Sequence, residues 1–391
     1  MDPKARFEET RKNVLTLTDL KEPEQVPSTL YIETGWALNY AGVKWADLED
    51  DPEAFARAYT KCWAEIPINI GDAPTRTTLR PPHALGNYQF VYTSDGYGIV
   101  HNQAADVYLG PEVYDEILAD PQGLSTRFMY MHNPKLAGSR EEAVEALKNA
   151  AKAQVVANET MGNINNILTN ELGIFSISAF GTPYGYTSEF WTFYDRYRGT
   201  QKGLSDLRRY PDKIKAVCDV LYEQTKARVV YDENTMKEPL PPGFTMFHPE
   251  PFLSPKQFDE LYFSRFMEIM NPVMEAGKKV FLYGEGAFLH HIERYRETPK
   301  GAMIINLDQD DPFEVKKRVG DWCTIIAGPK PELLQLGSEQ QIKDFVKRCF
   351  DELAPGGGYI FSVSPGLISA KDAPVSGIVT AFETAYELSR G

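Results

Sequence analysis

Two short apolar runs that end in carboxylates constrain this chain more than any other feature. VFLY at 280–283 passes through Gly284 to Glu285, and MIINL at 303–307 leads directly to Asp308, with Asp310 and Asp311 just beyond. The stretch between them reads as a helical connection. An acidic residue placed just past a buried strand, twice in succession, is how a parallel α/β barrel presents side chains to a pocket at the C-terminal end of its sheet. Glu285 and Asp308 are therefore expected to face a cleft.

The rest of the second half keeps the same rhythm. A helix FEVKKRVG is followed by a strand WCTIIAG, a helix SEQQIKDFVKRCFDELA, a strand GGGYIFSV and a last helix to Leu388. Strands alternating with helices at spacings of about 25 to 35 residues are what β/α units require. Earlier, residues 5–18 read as an amphipathic helix. Asp51-Pro52 supplies an N-cap and first-turn proline for a helix to Glu65, and Ser139 with Glu142 fits a capping box. FTMF at 244–247 reads as a strand, and Ser254-Pro255 starts another helix. From Ala73 to Val107 the chain is rich in Thr, Tyr, Gly and Pro around Asp95-Gly96, which reads as a β-hairpin inserted over the barrel mouth. The expected fold is α/β: a (β/α)8 TIM barrel with N-terminal helices and a β-hairpin-like insertion, formed as one domain over residues 1–391.

Composition excludes several roles. A net charge of -14 disfavours nucleic acid and anionic membranes as partners. No run approaches the roughly 20 apolar residues of a membrane helix, and the charged start MDPKARFEETRKNVL is not a signal peptide, so a cytoplasmic location is expected. The four cysteines form no CxxC pair, which argues against a disulfide framework or a thiolate-rich zinc site. Dinucleotide, P-loop, HExxH and GxSxG motifs are absent. GGGYIF precedes a strand instead of opening a helix, so it reads as a tight turn and not as a phosphate cradle. His290 and His291, adjacent on the expected helix after Glu285, diverge by about 100 degrees and cannot easily ligate one ion.

The candidates for chemistry are the strand ends. Asp72 follows IPINIG, Tyr184 and Tyr186 follow GIFSISAFGTP, and His248 with Glu250 follows FTMF between prolines that fix the backbone. Asp72 is equally readable as a turn residue, the tyrosines as cover for the core, and a lone histidine as a structural group. Histidine is nonetheless the side chain best suited to act near neutral pH. Oxygen and imidazole groups converging on a barrel mouth can hold a metal ion such as zinc, through His248, Glu285 and Asp308, or act as acid and base on an organic substrate. Glu285, His248, Asp308 and Asp72 are the catalytic candidates; Tyr184, Tyr186, Tyr283, Glu250 and Asp310 are the candidates for contacting a substrate.

The segments LSPKQFDELYFSRFMEIM, VFLYGEG, AGPKPELLQLGSEQQI and GGGYIFSVSPGLISAKDAP, with RKNVLTLTDLKEPEQVP and GIFSISAFGTPYGY earlier, resemble the uroporphyrinogen decarboxylase superfamily, whose members include decarboxylases and corrinoid-linked methyltransferases. The resemblance implies a (β/α)8 barrel with its cleft at the strand C-termini, and it places Asp72 where the family's catalytic aspartate is expected. The departures are informative. TLYIETGWALNYAG replaces the decarboxylases' arginine-rich motif, and Ser364-Pro365-Gly366 replaces their terminal Gly-His-Gly, so decarboxylation of a many-armed acidic porphyrinogen is not expected. Where thiol-activating methyltransferases carry a zinc-binding His-x-Cys pair, this chain has Tyr283-Gly284-Glu285.

What the resemblance implies is the branch that moves a methyl group from a small methoxylated or methylated donor to a cobalamin-type corrinoid on a partner protein. The chain has no cobalamin-binding domain of its own. The expected partners are thus the methyl donor and a corrinoid protein, with a second copy of the chain as a further candidate. An alkoxide leaves poorly, so such an enzyme needs an acid or a metal in its cleft, and Glu285 is the leading candidate. The alternatives are a cofactor-free decarboxylase of a small organic acid and a non-catalytic ligand-binding barrel.

Overall fold

The structure is a computed structural model that describes residues 2–177, 184–237, 240, 243–369 and 371–390. Its strands among those residues are β1 (Phe90–Tyr92), β2 (Ile99–His101), β3 (Tyr184–Tyr186), β4 (Gly243–Met246), β5 (Val280–Tyr283), β6 (Met303–Asn306), β7 (Thr324–Ala327) and β8 (Tyr359–Phe361). The chain forms two compact units, one of residues 1–106, 132–177 and 326–391, the other of residues 107–131 and 178–325.

In the first unit the apolar segments that precede each strand end lie side by side in parallel. Parallel bridges join Ser28 to Phe361 of β8, Thr29 to Ile70, and Ile70 to Phe175. Backbone bonds carry the row: Thr29 N–H to Phe361 O at 2.8 Å, Ile70 N–H to Ser28 O at 2.9 Å and Gly71 N–H to Phe175 O at 3.0 Å. The indoles of Trp36, Trp45 and Trp63 are fully buried around these segments. Helix Pro52–Glu65 begins as expected, with the Asp51 carboxylate accepting from Ala54 N–H at 3.0 Å. Helix Arg140–Asn166 carries the complete capping box of Ser139 and Glu142. The inserted segment forms an antiparallel hairpin in which Phe90 pairs with His101 and Tyr92 with Ile99, and Gly96 turns it at φ +80°, a conformation that favours glycine.

The second unit is built on parallel strands in the order β3, β4, β5, β6. β5 and β6 are buried along almost their whole length because helices cover them. Behind β4 and β5 sits an aromatic core in which Phe247 meets Phe288 at 5.1 Å and Tyr262 at 5.2 Å. Helix Ser264–Glu275 and the π-helical turn Asp259–Phe263 before it bring Tyr262, Phe263 and Phe266 into this core.

Two sequence expectations change here. The connection between Glu285 and β6 is a turn over 286–291 and a 3-10 helix Ile292–Glu297, not an α-helix. Gly286 has φ +77°. The carboxylates of Asp308 and Asp310 accept the N–H groups of Gly286, Phe288 and Leu289, donors that would otherwise start a helix. Tyr184 and Tyr186, expected in a loop after a strand, lie within β3 itself, and the Gly181-Thr182-Pro183 loop lies outside the described residues.

The capping box makes a local stability prediction. Ser139→Ala removes the acceptor for Glu142 N–H at 3.2 Å, so urea denaturation should show a loss of about 1 kcal/mol, with Ser139→Asp close to the unmodified protein.

Candidate functional site

Strand register assembles the site. Met246 pairs with Tyr283, and Tyr283 with Asn306. His248, Glu285 and Asp308 each lie two residues past those paired positions, so the parallel sheet delivers them to the same end at the same level. Nδ1 of His248 and Oε2 of Glu285 are 2.5 Å apart, and Nε2 of the same imidazole lies 3.6 Å from Oδ1 of Asp195. His248 and Glu285 keep 33% and 37% of their side-chain surface exposed, so the pair is reachable from solvent.

Aromatic rings frame the imidazole. Tyr194 meets it edge-on at 5.2 Å and Trp191 at 6.0 Å, while Phe252, itself well exposed, stacks on Tyr194 at 6.3 Å. The Trp191 indole N–H is buried without a hydrogen-bond partner. Tyr194 and Asp195 come from a π-helical turn, Thr192–Tyr197. Such turns widen a helix locally and recur at functional sites. Sequence reasoning passed over Ser188, Trp191, Tyr194 and Asp195. Their signal was the density of rings and charges in EFWTFYDRYR, which lacks the spacing of an ordinary amphipathic helix.

Electrostatics raise the proton affinity of the imidazole. Burial lowers the affinity of His248 for a proton, but the Glu285 hydrogen bond and charge, together with Asp195 and Glu250, outweigh it and leave the imidazole above its ordinary value. Glu250 is 1% exposed. Burial raises its pKa, opposed by hydrogen bonds from the Ser188 hydroxyl and the His248 N–H.

The remaining expected residues have other partners. Asp308 accepts Gly286 N–H, and Asp310 accepts Phe288 N–H at 2.8 Å and Leu289 N–H at 3.1 Å, so both brace the turn after Glu285. Tyr184 is buried, stacks on Tyr231 and accepts Asp232 N–H at 2.5 Å. Tyr186 is buried and donates to Glu189, which Arg265 also holds at 3.0 Å. Tyr283 ends β5 beside the pair, and its carbonyl accepts Phe247 N–H at 2.9 Å. Asp72 belongs to the first unit, where its carboxylate accepts the Ser176 hydroxyl and its carbonyl accepts Tyr59 OH at 3.1 Å. His291 is buried, stacked on Phe258 at 4.0 Å, with Nε2 3.1 Å from Leu253 O.

The donors considered for zinc do not fit a metal cage as arranged. Nδ1 of His248 is engaged by Glu285, Asp308 turns an oxygen onto Gly286 N–H, and among the described residues no group of three or more His, Cys, Asp or Glu is set to hold an ion. Among the same residues no helix is long and apolar enough to cross a membrane.

The sequence profile of the uroporphyrinogen decarboxylase (URO-D) family matches residues 123–387, more than half of the chain. The chain belongs to the URO-D family. Its fold is accordingly the (β/α)8 barrel expected from the strand ends. Among solved structures it is similar to a methyltransferase from Methanosarcina mazei, with a TM-score of 0.57 and 12% sequence identity over 99% of each chain. None of the curated proteins compared matches it in sequence. Within the URO-D barrel, the His248–Glu285 pair stands at the C-terminal end of the strands, the end at which barrel active sites lie.

The two histidines at this end carry opposite pH signatures. The folded state holds His248 above its unfolded value, so its contribution to stability is full below roughly pH 6.5 and is lost as pH rises through the folded value. Burial, and secondarily His290, depress His291 to about 4. Its contribution is present above roughly pH 6.5 and is lost as pH falls toward 4. Urea midpoints measured across this range should fall on the acid side in the unmodified protein, and His291→Gln should flatten that fall.

Proposed function

We propose that this URO-D family member is a methyltransferase that demethylates a small methoxylated or methylated donor, with a corrinoid on a partner protein as the acceptor. The observation that carries the reading is the 2.5 Å contact between His248 Nδ1 and Glu285 Oε2, on side chains that keep part of their surface open to solvent. Glu285 orients the imidazole and keeps it protonated, which leaves the Nε2–H as the acid. As the bond between the methyl carbon and the leaving oxygen breaks, its electron pair stays on oxygen and takes the Nε2 proton. The product is an alcohol or phenol and a neutral His248, which solvent reprotonates. The acceptor, when bound, supplies the electron pair that receives the methyl group. A pair exposed to solvent suits an acceptor that arrives on another protein.

The surroundings support this reading over decarboxylation. Asp195, Glu250 and Glu285 gather around one imidazole, an arrangement that repels a substrate carboxylate and favours a neutral donor. Trp191, Tyr194 and Phe252 provide flat apolar surfaces for such a donor.

The test is incubation with a panel of methoxylated aromatic and methylated amine donors and a reduced corrinoid protein, following the demethylated product by chromatography. His248→Gln and Glu285→Gln should each lower the rate about 10²- to 10⁴-fold. Absence of product across the whole panel with the unmodified protein would overturn the reading and leave the decarboxylase and the ligand-binding barrel standing.

A further inference from the structure

Glu250 is a carboxyl group in a place where charge is expensive. It is 1% exposed, and a buried carboxylate persists only where its oxygens are satisfied. Oε2 accepts the backbone N–H of His248 at 2.8 Å, and Oε1 accepts the Ser188 hydroxyl. Ser188 also caps the short helix Glu189–Trp191, accepting Trp191 N–H at 3.3 Å, and that helix runs directly into the π-helical turn bearing Tyr194 and Asp195. On the other side, Glu250 O accepts Leu253 N–H at 3.1 Å, and Leu253 O is the partner of His291 from the turn after β5. One side chain and its own turn thus tie together the segments that follow β3, β4 and β5.

We infer that Glu250 is a positioning residue for His248: it fixes the histidine backbone against Glu285 and Asp195 and adds a third carboxylate to the two that meet the imidazole. The inference rests on the reading of His248 as the proton donor, but it concerns a property of the protein without substrate. The groups facing His248 are Glu285 from the turn after β5, Asp195 and the Tyr194 ring from the π-helical turn, Trp191, and Glu250 from its own loop. Those around Glu250 are Ser188, His248 and the phenols of Tyr262 and Tyr295, with His291 braced on the same turn. Of these carboxylates, Glu250 is the one that accepts the main-chain N–H of His248. The raised proton affinity of His248 is consistent with that third carboxylate.

A purely structural carboxylate and a positioning one make different predictions for Glu250→Gln. Glutamine keeps an acceptor for His248 N–H and removes the charge. The test is an NMR titration of ring-labelled histidine in the full chain, whose six histidines allow the His248 signal to be assigned by its disappearance in His248→Gln. Glu250→Gln should lower the His248 midpoint by at least about half a pH unit, and the alkaline limb of the demethylation profile should move down with it. Ser188→Ala removes one of the two donors that keep the carboxylate ionised, so it should shift the His248 midpoint the same way by less, and it provides the reading should Glu250→Gln fail to fold. A His248 midpoint that stays at the unmodified value in whichever of these variants folds overturns the inference. Because the titration needs no substrate, failure of every methyl donor would count against the proposed function alone, whereas an unmoved midpoint would count against Glu250 alone.

Discussion

Parallel register is the constraint on which the candidate site depends. β4, β5 and β6 are bonded with Met246, Tyr283 and Asn306 in line, so a fixed step beyond each of them brings His248, Glu285 and Asp308 to one level. A slip of one residue in any strand would turn its side chains to the other face of the sheet and move the following residue away from the cleft. Buried, β-branched and aromatic strands such as MIIN and VFLY resist such slips because a slip would exchange the packing partners of large apolar groups on both faces. Core packing, by holding register, also holds the separation of two catalytic candidates.

The cleft end places several carboxylates close together, and the structure separates them by what they accept. Asp308 and Asp310 accept backbone N–H groups, which turns them into braces for the segment after Glu285. Glu250 accepts a backbone N–H and a hydroxyl in the buried layer. Glu285, still partly exposed, has the imidazole. The same residue type therefore serves three purposes, decided by whether the nearest donor is main chain, hydroxyl or ring. The imidazole is the group whose proton affinity Glu285, Asp195 and Glu250 raise together, which suits it to act as an acid near neutral pH.

Much of this was legible in the chain. The strands around Glu285 and Asp308, the caps at Asp51, Ser139 and Ser254, the hairpin at Asp95-Gly96 and the membership of the URO-D family all rest on local patterns: an apolar run with a polar end, a side-chain acceptor ahead of a helix, a glycine where φ must be positive. His248 was legible as a histidine at a strand end between prolines. The π-helical turn was not, because EFWTFYDRYR has no periodicity that distinguishes a widened turn from an irregular helix, and with it Asp195 and Tyr194 went unnoticed. Tyr184 and Tyr186 were read as loop residues because glycine and proline precede them, whereas their pairing with Gly243 and Thr245 makes them strand.

By itself, then, the sequence determined that His248, Glu285 and Asp308 stand at strand ends, since alternation of buried runs with polar termini is a one-dimensional property. It determined the family and the barrel for the same reason. Only the tertiary structure decided which of those end residues meet. The 2.5 Å contact between His248 and Glu285 spans two strands, and the Ser188 to Glu250 bond spans 62 positions. Such contacts depend on how strands align across the sheet and on which backbone donors each carboxylate reaches first, and neither is encoded in any short segment of the chain.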